Sequence, residues 1–144
     1  LAAQLQQLFP SSSRIFYLSG LLAYHDKNYS EALAAFEESH RIFPNWRTER
    51  YIGKTCTQSG DFTTAETRLL HLSEKYPLCL LDLAWLYERK QQYNRARQHI
   101  EQFLQHHPDD DYAQQQLVRL QAQTLTVDQI KQEVDILDDF SEIR

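Results

Sequence analysis

Glycine and proline are scarce in this chain: three Gly and four Pro among 144 residues, all near predicted turns or close helix contacts. That sparse punctuation is expected of an all-helical protein. No run of 18 apolar residues occurs, so membrane insertion is not expected. Two cysteines, Cys56 and Cys79, fall far short of a disulfide framework and read as small buried thiols. Their scarcity favours a reducing compartment, cytoplasmic or nuclear. A net charge of −5 and a pI of about 5.6 argue against nucleic acid as a partner, which calls for a basic face.

The signatures of chemistry are missing as well. There is no HExxH, CxxC or GxSxG pattern and no glycine-rich phosphate loop. The six histidines, His99 and His106 among them, read as surface residues, because a metal site needs several converging ligands with a supporting shell. The carboxylate pairs Glu37-Glu38 and Asp138-Asp139 are adjacent in sequence and therefore splay apart on a helix. Neither an enzyme, a cofactor nor a metal is expected of these residues.

What the chain does have is self-similarity. Gly20, Gly53 and Ala84 are each followed twelve residues later by an alanine: Ala32, Ala65 and Ala96. An aromatic stands three residues before each alanine (Tyr29, Phe62, Tyr93), and a proline twelve after it (Pro44, Pro77, Pro108). The copies are offset by 33 and then 31 residues, a period that means stacked helical units rather than one globular core. The small residues let a neighbouring helix approach closely, and each proline ends a helix. Helix pairs are predicted at about 13–26 with 29–43, 46–59 with 62–76, and 78–90 with 93–107, their boundaries good to about two to four residues. The polar turns within the pairs are Lys27-Asn28, Gly60-Asp61 and Gln91-Gln92, of which only the middle one has the residue that turns left-handed most cheaply.

These positions, from Phe16-Tyr17-Leu18-Ser19-Gly20 through Ala32 and Phe36 to Pro44 and twice more down the chain, resemble the tetratricopeptide repeat. The departures are mild: Ser19 replaces the usual Leu, and Ala23 and Cys56 the usual Tyr. The resemblance implies a right-handed α-solenoid of antiparallel helix pairs. Residues 13–108 hold three repeats; residues 1–10, with Leu1, Leu5, Leu8 and Phe9 before Pro10, read as the second helix of a preceding repeat. With no methionine in the sequence, the chain is expected to be a piece of a longer array. Residues 109–144 read as a degenerate fourth repeat or cap with an acidic tail. There Asp109, Asp110 and Asp111 favour a helix start, and Thr126 with Gln129 forms a capping box for a last helix bearing Val127, Ile130, Val134 and Leu137.

In the family that is resembled, the first helix of each pair lines an inner groove. The matching places are Arg14, Tyr17, Leu18, Leu21, Tyr24 and His25, then Arg47, Arg50, Tyr51, Lys54, Thr57 and Gln58, then Leu78, Leu81, Asp82, Trp85, Glu88 and Arg89. A fourth set would be Asp110, Ala113, Gln114, Leu117, Leu120 and Gln121. The candidate protein-binding residues are Arg14, Tyr17, Leu21, Tyr24, Arg47, Arg50, Tyr51, Lys54, Leu81, Trp85 and Arg89. Arg, Tyr and Trp are the residue types enriched at binding hot spots. Four cations gather here in a chain of net negative charge, with Tyr17, Tyr24, Tyr51 and Trp85 expected to be exposed among them. The expected ligand is an acidic peptide or extended protein segment with apolar anchors. The dicarboxylate clamp of chaperone-binding members needs asparagine at the sixth place, where this chain has Leu18, Tyr51 and Asp82. The triplet Glu133-Val134-Asp135 echoes the acidic tail such members bind, but lies inside a predicted helix with no free carboxylate after it. Two other roles fit the same architecture: a scaffold segment of a multi-subunit complex, and the substrate-recruiting array of a larger enzyme.

Overall fold

A computed structural model describes residues 1–124, 129–132 and 134–136, and every regular element among them is helical. The helices are α1 (Ala2–Leu8), α2 (Ser13–His25), α3 (Tyr29–Ile42), α4 (Trp46–Ser59), α5 (Phe62–Ser73), α6 (Leu78–Arg89), α7 (Tyr93–His106) and α8 (Asp111–Gln123); residues 129–132 and 134–136 are helical too, with Ile130 and Val134 exposed. The expected capping box at Thr126, together with Val127, Leu137 and the acidic tail, lies outside the described residues. No helix among the described residues is long and apolar enough to cross a membrane.

Side chains of the preceding residues start several of these helices. Ser12 accepts from the Ile15 amide, Asn45 from Arg47, Asp61 from Thr64 and Asp110 from Ala113, each satisfying an amide that has no carbonyl partner inside its helix. Successive helices pack α2 on α3, α3 on α4 and so on to α8, which makes the fold an α-solenoid. Its core is one continuous cluster running from Ala32 and Phe36 through Ile52, Leu69, Leu83 and Ile100 to Leu120.

The small residues do what their spacing predicts. A Cβ on Gly20 would sit 2.5 Å from the Phe36 ring, and one on Gly53 2.7 Å from Cγ of Leu69. In each case the large side chain belongs to the second helix of the same pair and fills the space the glycine leaves. Ala32, Ala65 and Ala96 are fully buried on those second helices.

Two details add to the expected plan. Helix α5 ends at Ser73, within the boundary error of the predicted 76: the Lys75 and Tyr76 amides both donate to the Leu72 carbonyl, and Pro77 then leads directly into α6. The residue before a proline avoids helical geometry, which moves the stop upstream. Tyr76, freed from the helix, stacks on Trp46 at the start of α4, with centroids 4.2 Å apart. A second addition is a reciprocal clasp between α2 and α3. The Ser13 hydroxyl donates to the Ser39 carbonyl at 2.9 Å, and the Ser39 hydroxyl to the Ser13 carbonyl at 2.8 Å.

All three intra-pair turns pass through a left-handed residue, not the middle one alone: Lys27 (φ 64°), Gly60 (φ 89°) and Gln91 (φ 60°). For residues bearing a Cβ that conformation costs roughly 1–2 kcal/mol. Gln91→Gly is therefore expected to raise unfolding free energy by about 0.5–1 kcal/mol, the relief being partly offset by the greater chain entropy of glycine. Gly60→Ala, whose Cβ would meet nothing within 4 Å, should lower it through the same conformational term. Urea denaturation measures both; a destabilised Gln91→Gly would contradict the account.

Candidate protein-binding face

The first helices of successive pairs, α2, α4, α6 and α8, are joined side by side through their side chains. Between α2 and α4 the joint is aromatic. Tyr51 meets Tyr17 at 6.1 Å and Tyr24 at 5.7 Å, both edge-on, and stacks at 5.4 Å on Phe36, which comes from α3. Edge-to-face pairs of this kind are favoured by the ring quadrupole. Between α4 and α6 the joint is ionic: Arg50 Nε and Nη2 donate to the two carboxylate oxygens of Asp82 at 2.5 and 3.1 Å. Arg89 adds a hydrogen bond from Nη1 to Gln58 Oε1 at 2.9 Å. Between α6 and α8, Arg119 grips Glu88 with two guanidinium nitrogens.

This row brings most of the sequence-predicted residues together, in conditions that differ from expectation. Tyr17, Leu21, Tyr24, Tyr51 and Leu81 are half-buried and packed against the core rather than standing free. The tyrosine rings form the floor of the face, with Tyr51 covering Phe36 at the α3–α4 contact. Arg50 is not an available cation either. Its side chain is 19% exposed and that of Asp82 only 7%, and the fork-to-fork geometry occupies both carboxylate oxygens.

The remaining cations lie differently. Arg14 and Arg47 are exposed and line, with Tyr17, Phe43 and Asn45, a cleft of about 330 Å³ at the α2–α4 end. The Arg47 guanidinium also sits 4.9 Å above the Trp46 ring. Lys54 is half-buried, its Nζ 4.7 Å from the centroid of Tyr51 and 5.8 Å from that of Tyr24. Among the described residues it has neither an ion pair nor a hydrogen bond. Burial pushes its ammonium below the usual lysine range; the Asp82 carboxylate opposes this and Arg50 reinforces it. At the other end Trp85, with Arg89 5.9 Å from its ring, borders a cleft of about 470 Å³ with Leu81, Tyr112, Gln116 and Arg119.

Several of these residues were missed by sequence reasoning. The fourth set of face positions was counted from Asp109, but Asp110 is the cap and α8 begins at Asp111. The two-residue shift buries Ala113 and Leu120, which had been placed on the face, and brings Tyr112, Gln116 and Arg119 there instead. His99 is another correction. It is half-buried and stacked on Tyr87 at 5.1 Å rather than a surface residue, and burial lowers its pKa. Cys56 and Cys79 are free and buried, and burial pushes the Cys79 thiol up to about 12.

With the helix pairs and their shared face described, comparison with known proteins decides the family. Two profiles described as tetratricopeptide repeat match residues 1–45 and 77–120, together more than half of the chain. The chain belongs to the tetratricopeptide repeat family. Among solved structures it is similar to the TPR domain of Arabidopsis OM64, with a TM-score of 0.68 at 18% identity, covering 78% of this chain and 96% of that one. It is also similar to yeast Tom70, with a TM-score of 0.69 at 16% identity, covering 98% of this chain and 31% of that one. Identities this low carry the fold alone. No curated protein sequence matches the chain.

Since the Arg50–Asp82 pair is the ionic joint between two repeats, breaking it from one side leaves a charge stranded. Arg50→Met should destabilise the chain by about 3 kcal/mol, whereas Arg50→Met combined with Asp82→Leu should recover most of the loss. Chemical denaturation of the single and double variants measures the coupling; additive losses would show that the two side chains do not act as a pair.

Proposed function

We propose that this tetratricopeptide repeat protein, a protein-interaction module by family, holds an extended acidic segment of another protein on the α2–α4–α6–α8 face. In this reading α1 takes the place of a second helix before the first full pair, α2 to α7 are three repeats, and α8 opens a degenerate fourth. Repeats of this kind act by shape and surface rather than by chemistry. The buried free thiols Cys56 and Cys79 fit a reducing compartment, cytoplasm or nucleus.

The observation that carries the proposal is how charge is paired along the face. Asp82 and Glu88, its carboxylates beside the central joints, are both occupied by arginines from the neighbouring helix. Lys54, in contrast, has no carboxylate on it among the described residues, and Arg14 and Arg47 are exposed where α2 meets α4. A ligand carboxylate reaching Lys54 would restore to a half-desolvated ammonium the partner it lacks. The cleft beside Trp85 and Tyr112, where Glu88 and Arg119 neutralise one another, suits an uncharged side chain of the same segment.

A fluorescein-labelled synthetic peptide in which glutamates flank a single leucine serves as the probe, read by fluorescence anisotropy. Lys54→Gln should weaken its binding by on the order of tenfold, the scale of one charge-assisted hydrogen bond. Arg41→Gln, on α3, should change it little. Added salt should weaken wild-type binding, because part of the attraction comes from exposed cations. Equal affinity for wild type and Lys54→Gln would remove the site from this face and favour a scaffold that packs through its other helices.

A further inference from the structure

Lys54 differs from the other described lysines in a way that bears on covalent chemistry. Lys27, Lys75 and Lys131 are exposed, and Lys90 is paired with Glu66 at 3.3 Å. Lys54 alone among them is withdrawn from water without a carboxylate on its Nζ. Two tyrosine rings hold the amine, and among the described residues the carboxylate in electrostatic reach is Asp82, which already has both oxygens on Arg50. The ring faces and the Asp82 carboxylate favour the ammonium; desolvation, the largest influence, and to a lesser degree the Arg50 guanidinium favour the neutral amine, and the group is held below the usual lysine range. Withdrawal from water against ring surfaces raises the neutral fraction of a lysine and with it its nucleophilicity.

We propose that Lys54 is a modification site, the lysine of this chain that small acyl thioesters acylate first. The neutral Nζ attacks the thioester carbonyl carbon and a new C–N bond forms. The C–S bond then breaks, and the sulfur leaves with its electron pair and takes up the proton released by the nitrogen. The products are an amide at Lys54 and a free thiol, with no oxidant or reductant involved. The consequence for binding rests on the reading above: the amide carries no charge, so acylation removes the unpaired half-buried cation of the face and closes it to a carboxylate.

The 144-residue chain is incubated with the acetyl thioester of N-acetylcysteamine, quenched at intervals, and mapped by peptide mass spectrometry. Acetylation of Lys54 is expected several-fold ahead of Lys27, Lys75 and Lys131, and the preference should vanish in denaturing urea. Lys54→Arg should abolish the fast phase and leave the slower sites unchanged. Labelling of Lys54 no faster than Lys27, or a preference that survives in urea, would overturn the proposal. The glutamate–leucine peptide is then titrated against the acetylated chain. Undiminished binding there would count against the role of Lys54 in ligand capture while the modification site stands.

Discussion

A large side chain can press against the backbone of a neighbouring helix only where the facing residue is small, and the rest of this structure is built on that condition. Phe36 lies in the space left by Gly20, and Leu69 in the space left by Gly53. These contacts set how closely the two helices of a pair approach, and thereby how the pairs stack. Once Phe36 is seated, its ring offers a surface that Tyr51 of the next pair covers, and Tyr51 in turn supports Tyr17 and Tyr24. The aromatic floor of the candidate binding face is thus the outer layer of the packing that a missing methyl group allows. Repeat proteins transmit order from neighbour to neighbour in this fashion, since each unit touches only the next.

Along that floor, charge is arranged by the same stacking. Arg50 and Asp82, like Glu88 and Arg119, lie on first helices of successive pairs, so the solenoid brings them side by side and they neutralise each other. Such partly buried pairs contribute specificity of alignment more than net stability, because desolvation offsets much of the attraction. Their effect on function is indirect. By occupying Asp82, the Arg50 pair leaves Lys54 without a carboxylate partner among the described residues. The sequence reading distributed the expected attraction over four cations; the packing pairs Arg50 with Asp82, and in the proposed reading leaves the attraction to Lys54 and the exposed Arg14 and Arg47.

Much of the fold was legible because its determinants are local and recur. Glycine or alanine, then aromatic, alanine and proline, specify close approach, turn plug and helix stop within a single repeat. What was not legible depends on neighbours. Lys27 and Gln91 adopt left-handed geometry because the helices they join are already docked, and nothing in the residues themselves asks for it. The Ser13–Ser39 clasp joins residues 26 apart with no distinguishing pattern. In the fourth first-helix, reading Asp109 as the helix start in place of Asp110 as its cap displaced the face by two positions and hid Arg119. The Arg50–Asp82 pair was readable in principle, since both residues had been placed on the face in adjacent repeats. Cations there were weighed as binding groups without asking which carboxylate would reach them first.

The central claim is that the α2–α4–α6–α8 face, and Lys54 on it, meets the ligand. Chemical-shift mapping tests it most directly: the isotope-labelled chain is titrated with the glutamate–leucine peptide, and backbone amide and lysine side-chain signals are followed together. The account predicts shift changes at Lys54 Nζ and along α2, α4 and α6, with the outward residues of α3, α5 and α7 unmoved. Changes confined to α3, α5 and α7, with the Lys54 signal unaltered, would contradict it.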